Sequence, residues 1–251
     1  MKLLDFNKYY LGREPFRSRY PHRMTERDYL LFGKEPSHLE DLLRWITERP
    51  ETEIVKKGPK RDCLRYQGYF LKVYKAENRF KDLLNLFRLK GALRAIRNYW
   101  ILVARGLSSV EPLGGWIRLG LSGSEYHSGA LYPYLPEARE RLNFFLSLSP
   151  SDNEFRHTLQ SILTFLYQMH QAGLYLRDPK ITNFILTPSR IRLIDLDGLK
   201  VYSRPREKLW RKSLNKLALS LQKAGFQGLE DLSEDRFTRE AKSSTKAWAC
   251  L

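Results

Sequence analysis

Gly173-Leu174-Tyr175-Leu176-Arg177-Asp178-Pro179-Lys180-Ile181-Thr182-Asn183-Phe184-Ile185-Leu186, then Thr187-Pro188-Ser189-Arg190, then Ile191-Arg192-Leu193-Ile194-Asp195-Leu196-Asp197-Gly198, holds two apolar strands that each carry a polar residue at one end. The Pro-Ser turn lets Phe184 to Leu186 and Ile191 to Ile194 run antiparallel, so Asn183 and Asp195 are expected at one edge of the hairpin. Asp178 stands five residues before Asn183, in the loop that feeds that edge. Three oxygen-bearing side chains in that order suit phosphoryl transfer from a nucleotide: Asp178 to accept the proton of an attacking hydroxyl, Asn183 and Asp195 to hold Mg2+ against the phosphates. Arg-Asp, four residues, Asn, strand, turn, strand and Asp is the order of a kinase catalytic loop and metal-binding segment. An Asp-x4-Asn spacing alone is common by chance, and a loop Asp capping a turn is the plain alternative; the hairpin and the closing Ile194-Asp195-Leu196-Asp197-Gly198 are what favour the chemistry.

Outward from this stretch, a helix is predicted from Ser151, with Ser151 and Glu154 as a capping box. Phe155, Leu159, Ile162, Leu163, Leu166 and Met169 form its buried face, and Gly173 stops it. After Gly198 come a basic loop (Lys200, Arg204, Arg206, Lys208) and a helix from Trp210 to Ala224, with Leu214, Leu217 and Leu221 inward. A further helix is placed from Leu229, followed by a polar tail.

Upstream the pattern is extended. Glu53 to Lys56, Leu64 to Tyr66 and Tyr69 to Tyr74 are separated by turns at Gly58-Pro59 and Gln67-Gly68, and read as a small antiparallel sheet. Period two puts Phe70, Lys72 and Tyr74 on one face and Tyr69, Leu71 and Val73 on the other. A Lys inside an aromatic strand needs an anion, so Lys72 is the candidate for pairing nucleotide phosphates; a snorkelling edge lysine is the alternative. Ala76 to Arg105 reads as one or two helices, with Phe80, Leu83, Leu84 and Phe87 as an apolar stripe, a break at Lys90-Gly91 and an end at Gly106. Trp116 to Leu121 and Ser128 to Leu135 follow as strands. Before Thr52, a helix from Ser37 to Arg49, with Ser37 and Glu40 at its start, belongs to an N-terminal extension. The expected domains are an extension over 1–51, an N-lobe over 52–135 and a C-lobe over 136–251: α+β, two-lobed and protein-kinase-like, with a small antiparallel-sheet N-lobe and a mostly helical C-lobe.

The chain has 251 residues, enough for one large domain or two lobes. It has no run of eighteen apolar residues and no leader-like start, so a cytoplasmic protein is expected. Cys63 and Cys250 offer neither a disulfide framework nor a metal cluster. The formal charge is +16, and between Lys56 and Arg105 fourteen basic residues stand against three acidic ones. Such a field favours an anionic membrane surface or an acidic or phosphorylated substrate. Without a zinc-finger, RNA-binding or helix-turn-helix signature, nucleic acid ranks below these.

Taken together, the sequence resembles the lipopolysaccharide core kinases, the bacterial Kdo and heptose kinases of protein-kinase-like fold, over roughly Thr52 to Ala224. The similarity is carried by Met169-His170-Gln171-Ala172-Gly173 running to Arg177-Asp178, by Asn183-Phe184-Ile185-Leu186, by Ile194-Asp195-Leu196-Asp197, and by Tyr69-Phe70-Leu71-Lys72-Val73-Tyr74. The resemblance implies ATP as phosphoryl donor, Mg2+ as cofactor, Asp178 as catalytic base, Asn183 and Asp195 as metal ligands and Lys72 on the ATP phosphates. It also implies an acidic glycolipid acceptor, a lipopolysaccharide core sugar, met by a protein held peripherally on the inner membrane's cytoplasmic face. Three departures stand out. Leu176 replaces the His before Arg-Asp; Ala95 stands where a helix Glu would pair the strand lysine; and only Gly58 and Gly68 are available for a phosphate loop. A protein or small-molecule kinase, and a non-catalytic pseudokinase binding a membrane or partner, are the competing functions.

Overall fold

The computed structural model of the chain describes residues 14, 16–76, 91–119, 125–186 and 191–226. The chain divides into two compact units, one of Met1–Tyr99 with Glu111–Tyr134, the other of Trp100–Val110 with Leu135–Leu251.

The first unit is built on an antiparallel sheet. Among the described residues its strands are β1 (His22–Glu26), β2 (Tyr29–Gly33), β3 (Glu53–Lys56), β4 (Arg61–Tyr66), β5 (Tyr69–Lys75), β6 (Gly114–Arg118) and β7 (Tyr126–Pro133), in the spatial order β1-β2-β6-β7-β5-β4-β3. Strand β5 is central: Lys72 pairs with Cys63 on β4 and with Ala130 on β7. The short helix α1 (Phe16–Arg19) supplies Phe16, whose ring meets Phe32 of β2 edge-on at 5.0 Å. Residues expected as an extension thus add two strands to this sheet and a helix that covers it.

That helix, α2 (Pro36–Glu48), lays Leu39, Leu42, Trp45 and Ile46 over Leu31, Leu64, Leu71, Val73, Trp116 and Leu131. Trp45 stacks on Trp116 at 5.9 Å. Its start differs from the expected Ser37–Glu40 box. Pro36 opens the helix, which its fixed φ favours, and the backbone N–H of Glu35 donates to His38 Nδ1 at 3.3 Å. The other face of the sheet carries Tyr74, Ala130 and Tyr132, packed with Ala92 of α3 (Gly91–Val103). The alternation read from Tyr69 to Tyr74 therefore holds, with Leu71 and Val73 under α2 and Tyr74 on the α3 side. The Phe80, Leu83, Leu84 and Phe87 stripe, like the helix placed from Leu229, lies outside the described residues.

The second unit is mostly helical. Helix α5 (Asn153–Gln171) buries Phe155, Leu159, Ile162, Leu163, Phe165, Leu166, Met169 and His170, the face expected from the sequence with two more members. It begins one residue later than a Ser151 cap would place it, and Asp152, at the cap position, accepts from the Ser149 N–H at 2.7 Å. Helix α4 (Pro136–Ser147) precedes it and buries only Phe145, which stacks on Phe155 at 4.9 Å. Helix α6 (Glu207–Lys223) turns Trp210, Leu214, Leu217 and Leu221 inward, and Trp210 stacks on His170 at 5.6 Å. Two short antiparallel pairs complete the unit: β8 (Leu174–Leu176) with β11 (Leu199–Val201), and β9 (Phe184–Leu186) with β10 (Ile191–Leu193). Of the basic loop expected after Gly198, Lys200 lies in β11 and Lys208 in α6, which starts before the expected Trp210, while Arg204 and Arg206 lie in the loop between. Among the described residues no helix is long and apolar enough to cross a membrane.

Leu42 is 1% exposed at the centre of the α2 contact. Truncation there leaves a void that close-packed neighbours fill only partly, so Leu42→Ala is expected to lower the unfolding free energy by about 2–5 kcal/mol in urea titrations, with m unchanged.

Candidate active site

The loop bearing Asp178 is fixed from both ends. At its entry, Gly173 takes φ +69, and a Cβ there would stand 2.5 Å from the Tyr202 carbonyl oxygen, to which no side chain could be accommodated. The Gly173 carbonyl in turn accepts from the Tyr202 N–H at 2.8 Å. Strand β11 then pairs back on β8, Leu199 opposite Leu176 and Val201 opposite Leu174, and the Arg177 N–H donates to the Gly198 carbonyl at 3.2 Å. Residues that follow Asp195 thereby brace the residues that precede Asp178.

Past Asp178 the chain makes one 3-10 turn, Ile181–Asn183, before entering β9. Helix α6 anchors this turn. Ser220 Oγ accepts from the Ile181 N–H at 3.1 Å, and Lys216 Nζ donates to the Arg177 carbonyl. Asn183 links the segments. Its side-chain amide donates to the Asp178 carbonyl at 2.9 Å, while its own carbonyl accepts from the Ile194 N–H at 2.8 Å. The β9–β10 register, Phe184 opposite Leu193 and Leu186 opposite Ile191, sets Asn183 beside the residue that precedes Asp195. The far side of β10 is held as well, since Leu193 donates its N–H to the Ser108 carbonyl at 3.1 Å and accepts from Ser109 Oγ at 2.5 Å.

Asp195 itself adopts φ 62, ψ 63, the left-handed conformation. For a non-glycine residue this costs roughly 1–2 kcal/mol and persists only where the surroundings impose it; such outliers gather at functional sites. Here the clamped β10 before it and the 3-10 turn Leu196–Gly198 after it impose the bend.

The structure thus brings Asp178, Asn183 and Asp195 together in the second unit. Lys72 belongs to the first. It is 6% exposed, and its ammonium stands 5.6 Å from the centre of the Tyr74 ring. Ala95 on α3 is buried, with Asn98 beside it on the helix accepting from Arg97 Nη2 at 3.1 Å. Glu77, a carboxylate five residues along the chain from Lys72, is outside the described residues.

Two residues went unnoticed in the sequence. Lys180 Nζ lies 2.7 Å from Asp178 Oδ2, both side chains half-exposed. The signal was its place two residues after the Asp, across Pro179, where the Lys180 N–H donates to the Asp178 carbonyl at 2.9 Å and turns the chain back on itself. Lys216, on α6, carried no local signal, because its contact with Arg177 spans 39 residues.

Hard oxygen donors dominate: one amide and two carboxylates. Among the described residues no group of three His, Cys, Asp or Glu side chains could hold a metal ion by itself. That set fits Mg2+, which takes one or two protein oxygens and completes its shell with phosphates and water.

No protein-family model matches this chain, and no curated protein matches it by sequence. By structure it is similar to WaaP, solved in complex with acyl carrier protein, with a TM-score of 0.56 and 20% identity over 85% of this chain and 88% of that one. The chain therefore has the α+β, protein-kinase-like fold expected from its sequence, with an antiparallel-sheet N-terminal unit and a helical C-terminal one.

Because Gly173 has both a left-handed φ and a carbonyl against its Cα, Gly173→Ala is expected to cost about 2 kcal/mol or more in denaturant unfolding, and to speed amide exchange at Arg177 and Tyr202 relative to the rest of the unit.

Proposed function

We propose that this chain is an ATP- and Mg2+-dependent kinase that phosphorylates a sugar hydroxyl, Kdo or heptose, of the lipopolysaccharide inner core. The observation that carries the reading is Asn183, whose amide and carbonyl join the Asp178 loop to the strand that ends at a left-handed Asp195. The likeness to the WaaP structure supports the fold on which the proposal stands. In this reading residues 52–135 and 136–251 are the two lobes, with 1–51 an extension of the first.

Asp178 orients the acceptor hydroxyl and takes its proton on a carboxylate oxygen as the bond to phosphorus forms. Lys180, 2.7 Å from that carboxylate, adds positive charge where the phosphoryl group passes. Asn183 and Asp195 would hold Mg2+, which supplies neutralisation of the phosphate charge. Lys72 pairs the ATP phosphates. Placement and charge stabilisation account for most of the rate in this chemistry. The +16 formal charge draws the chain to an anionic leaflet and to an acidic acceptor anchored there, so the protein works peripherally on the cytoplasmic face of the inner membrane.

One observation favours a second reading. The buried Ala95 removes the carboxylate expected to pair Lys72, as a pseudokinase that binds a membrane or partner would tolerate. A kinase of this fold acting on a protein or a soluble metabolite is the remaining alternative, since function belongs to the site and its acceptor.

Transfer of phosphate from ATP to core oligosaccharides of defined length separates the three. The native chain is expected to turn over, and Asp178→Asn to lose about 10²–10⁴-fold in kcat while still binding ATP. Equal turnover by both removes Asp178 from its role, and absence of Mg2+-dependent ATP binding favours the pseudokinase. Asp195→Ala is expected to raise the Mg2+ concentration needed for half-maximal ATP binding, measured by titrating Mg2+ after chelation.

A further inference from the structure

Helix α6 is packed along one side. Trp210, Ser213, Leu214, Leu217, Ala218 and Leu221 are buried, and their spacing of three and four residues keeps them on one face. Lys208, Arg211, Lys212, Asn215, Leu219 and Lys223 recur with the same spacing on the opposite face and are exposed. Basic residues hold most of that outer face, and none on it is acidic. The helix's single carboxylate, Glu207, stands at its first position, 3.6 Å from His170 Nε2. The loop leading in adds Arg204 and Arg206, both exposed, with the Arg206 guanidinium 4.3 Å from the centre of the Tyr202 ring. From Leu199 to Ala224, eight basic residues stand against one acidic residue, so this stretch alone supplies seven of the chain's formal +16.

Leu219 stands among these charges, 55% exposed. A face that only had to stay in water would gain nothing from a leucine there. Long Lys and Arg side chains around one protruding apolar residue suit a bilayer surface: the cations reach headgroup phosphates and the leucine enters the acyl boundary. A nucleic acid would ask for an aromatic platform on which bases stack, and the only aromatic residue of α6, Trp210, is on the buried side.

The outer face also borders the candidate active site. On its flank, Lys216 donates its ammonium to the Arg177 carbonyl, and Ser220, one turn on, accepts from the Ile181 N–H at 3.1 Å. A helix with its side chains is about 10 Å across, so a plane laid on the outer face passes within roughly that distance of the loop that carries Asp178. Deepening the membrane part of the function proposed above, and resting on it, we infer that the outer face of α6 is the surface by which this chain lies on an anionic bilayer. Leu219 enters the boundary, and Lys208, Arg211, Lys212 and Lys223 meet the headgroup phosphates. This orientation presents Asp178 to a hydroxyl close to the lipid and leaves the distal sugars of a long glycolipid out of reach.

The test is co-sedimentation of the full chain with phosphatidylglycerol vesicles and, separately, with phosphatidylcholine vesicles. The native chain is expected to bind the first and not the second, and less tightly as salt is raised. Arg211→Gln/Lys212→Gln/Lys223→Gln keeps good helix formers and is expected to weaken binding roughly a hundredfold, about fivefold for each basic residue lost at an anionic surface. Leu219→Ser is expected to weaken it about fivefold. Lys56→Gln/Lys57→Gln/Lys60→Gln removes the same charge from exposed positions of the first unit and is expected to stay within about threefold of native. Equal losses in the two triple variants overturn the inference, because net charge alone then sets the binding. Should the α6 triple variant lose its helical circular dichroism, Leu219→Ser decides, and native binding by it overturns the face. A native chain that binds RNA through these residues and ignores phosphatidylglycerol vesicles overturns it in favour of nucleic acid. The kinase reading fails separately: phosphoryl transfer to a soluble core oligosaccharide is expected within about twofold of native in all three variants, and its absence in every chain removes the kinase without touching the vesicle result.

Discussion

The amide of Asn183 is the contact on which the conformation of the second unit's 178–183 loop depends. A loop of five residues from Asp178 has no secondary structure of its own beyond one 3-10 turn. Left to water it would sample many conformations at a cost of order 1–2 kcal/mol per residue to order. Asn183 supplies a donor to the Asp178 carbonyl and an acceptor to the Ile194 N–H, so the same residue that could ligate an ion also fixes the two segments that would meet it. Around it, Arg177 to Gly198 and Leu193 to Ser108 are backbone braces, while the side chains of Ser220, Lys216 and Ser109 reach backbone groups of the same segments.

How much of this the sequence disclosed follows from which signals are local. The β9–β10 pairing was legible because Phe184-Ile185-Leu186 and Ile191-Arg192-Leu193 stand on either side of a Pro-Ser sequence, and their register then puts Asn183 and Asp195 at one edge. The buried face of α5 was legible because its apolar residues repeat with helical period along nineteen residues. By contrast α4 buries Phe145 alone and has hardly any periodic face to detect. Strand β11 passes through Lys200 and is three residues long; only pairing with β8 makes it a strand, and pairing is not written in its own residues. The starts of α2 and α5 were misplaced for a related reason. Ser37 and Ser151 are good capping residues, but Pro36 and Asp152 lie nearer the true ends and win on backbone geometry.

Lys72 shows the limits in another way. A lysine flanked by Tyr, Phe, Leu and Val was a strong hint of a buried cation, and it is 6% exposed on a central strand. What the strand pattern could not disclose is the second lysine of β5. Lys75 sits at the strand's end, where a basic residue is ordinary, and its partners are Gly58, Lys60 and Asp62, brought to it across the sheet.

The sheet of the first unit ends in β3, whose four residues are all exposed, Ile54 and Val55 among them. An open edge with two β-branched hydrophobes is the kind of border along which copies of a protein zip together. Three features blunt it: Glu53 is tied up in an ion pair with Arg65, Lys56 brings a charge to the strand's end, and the pairing with β4 slips between Ile54 and Lys56. A kinked, charged margin makes a poor template for a neighbouring molecule, so this unit can leave greasy residues in water at high concentration without seeding fibres.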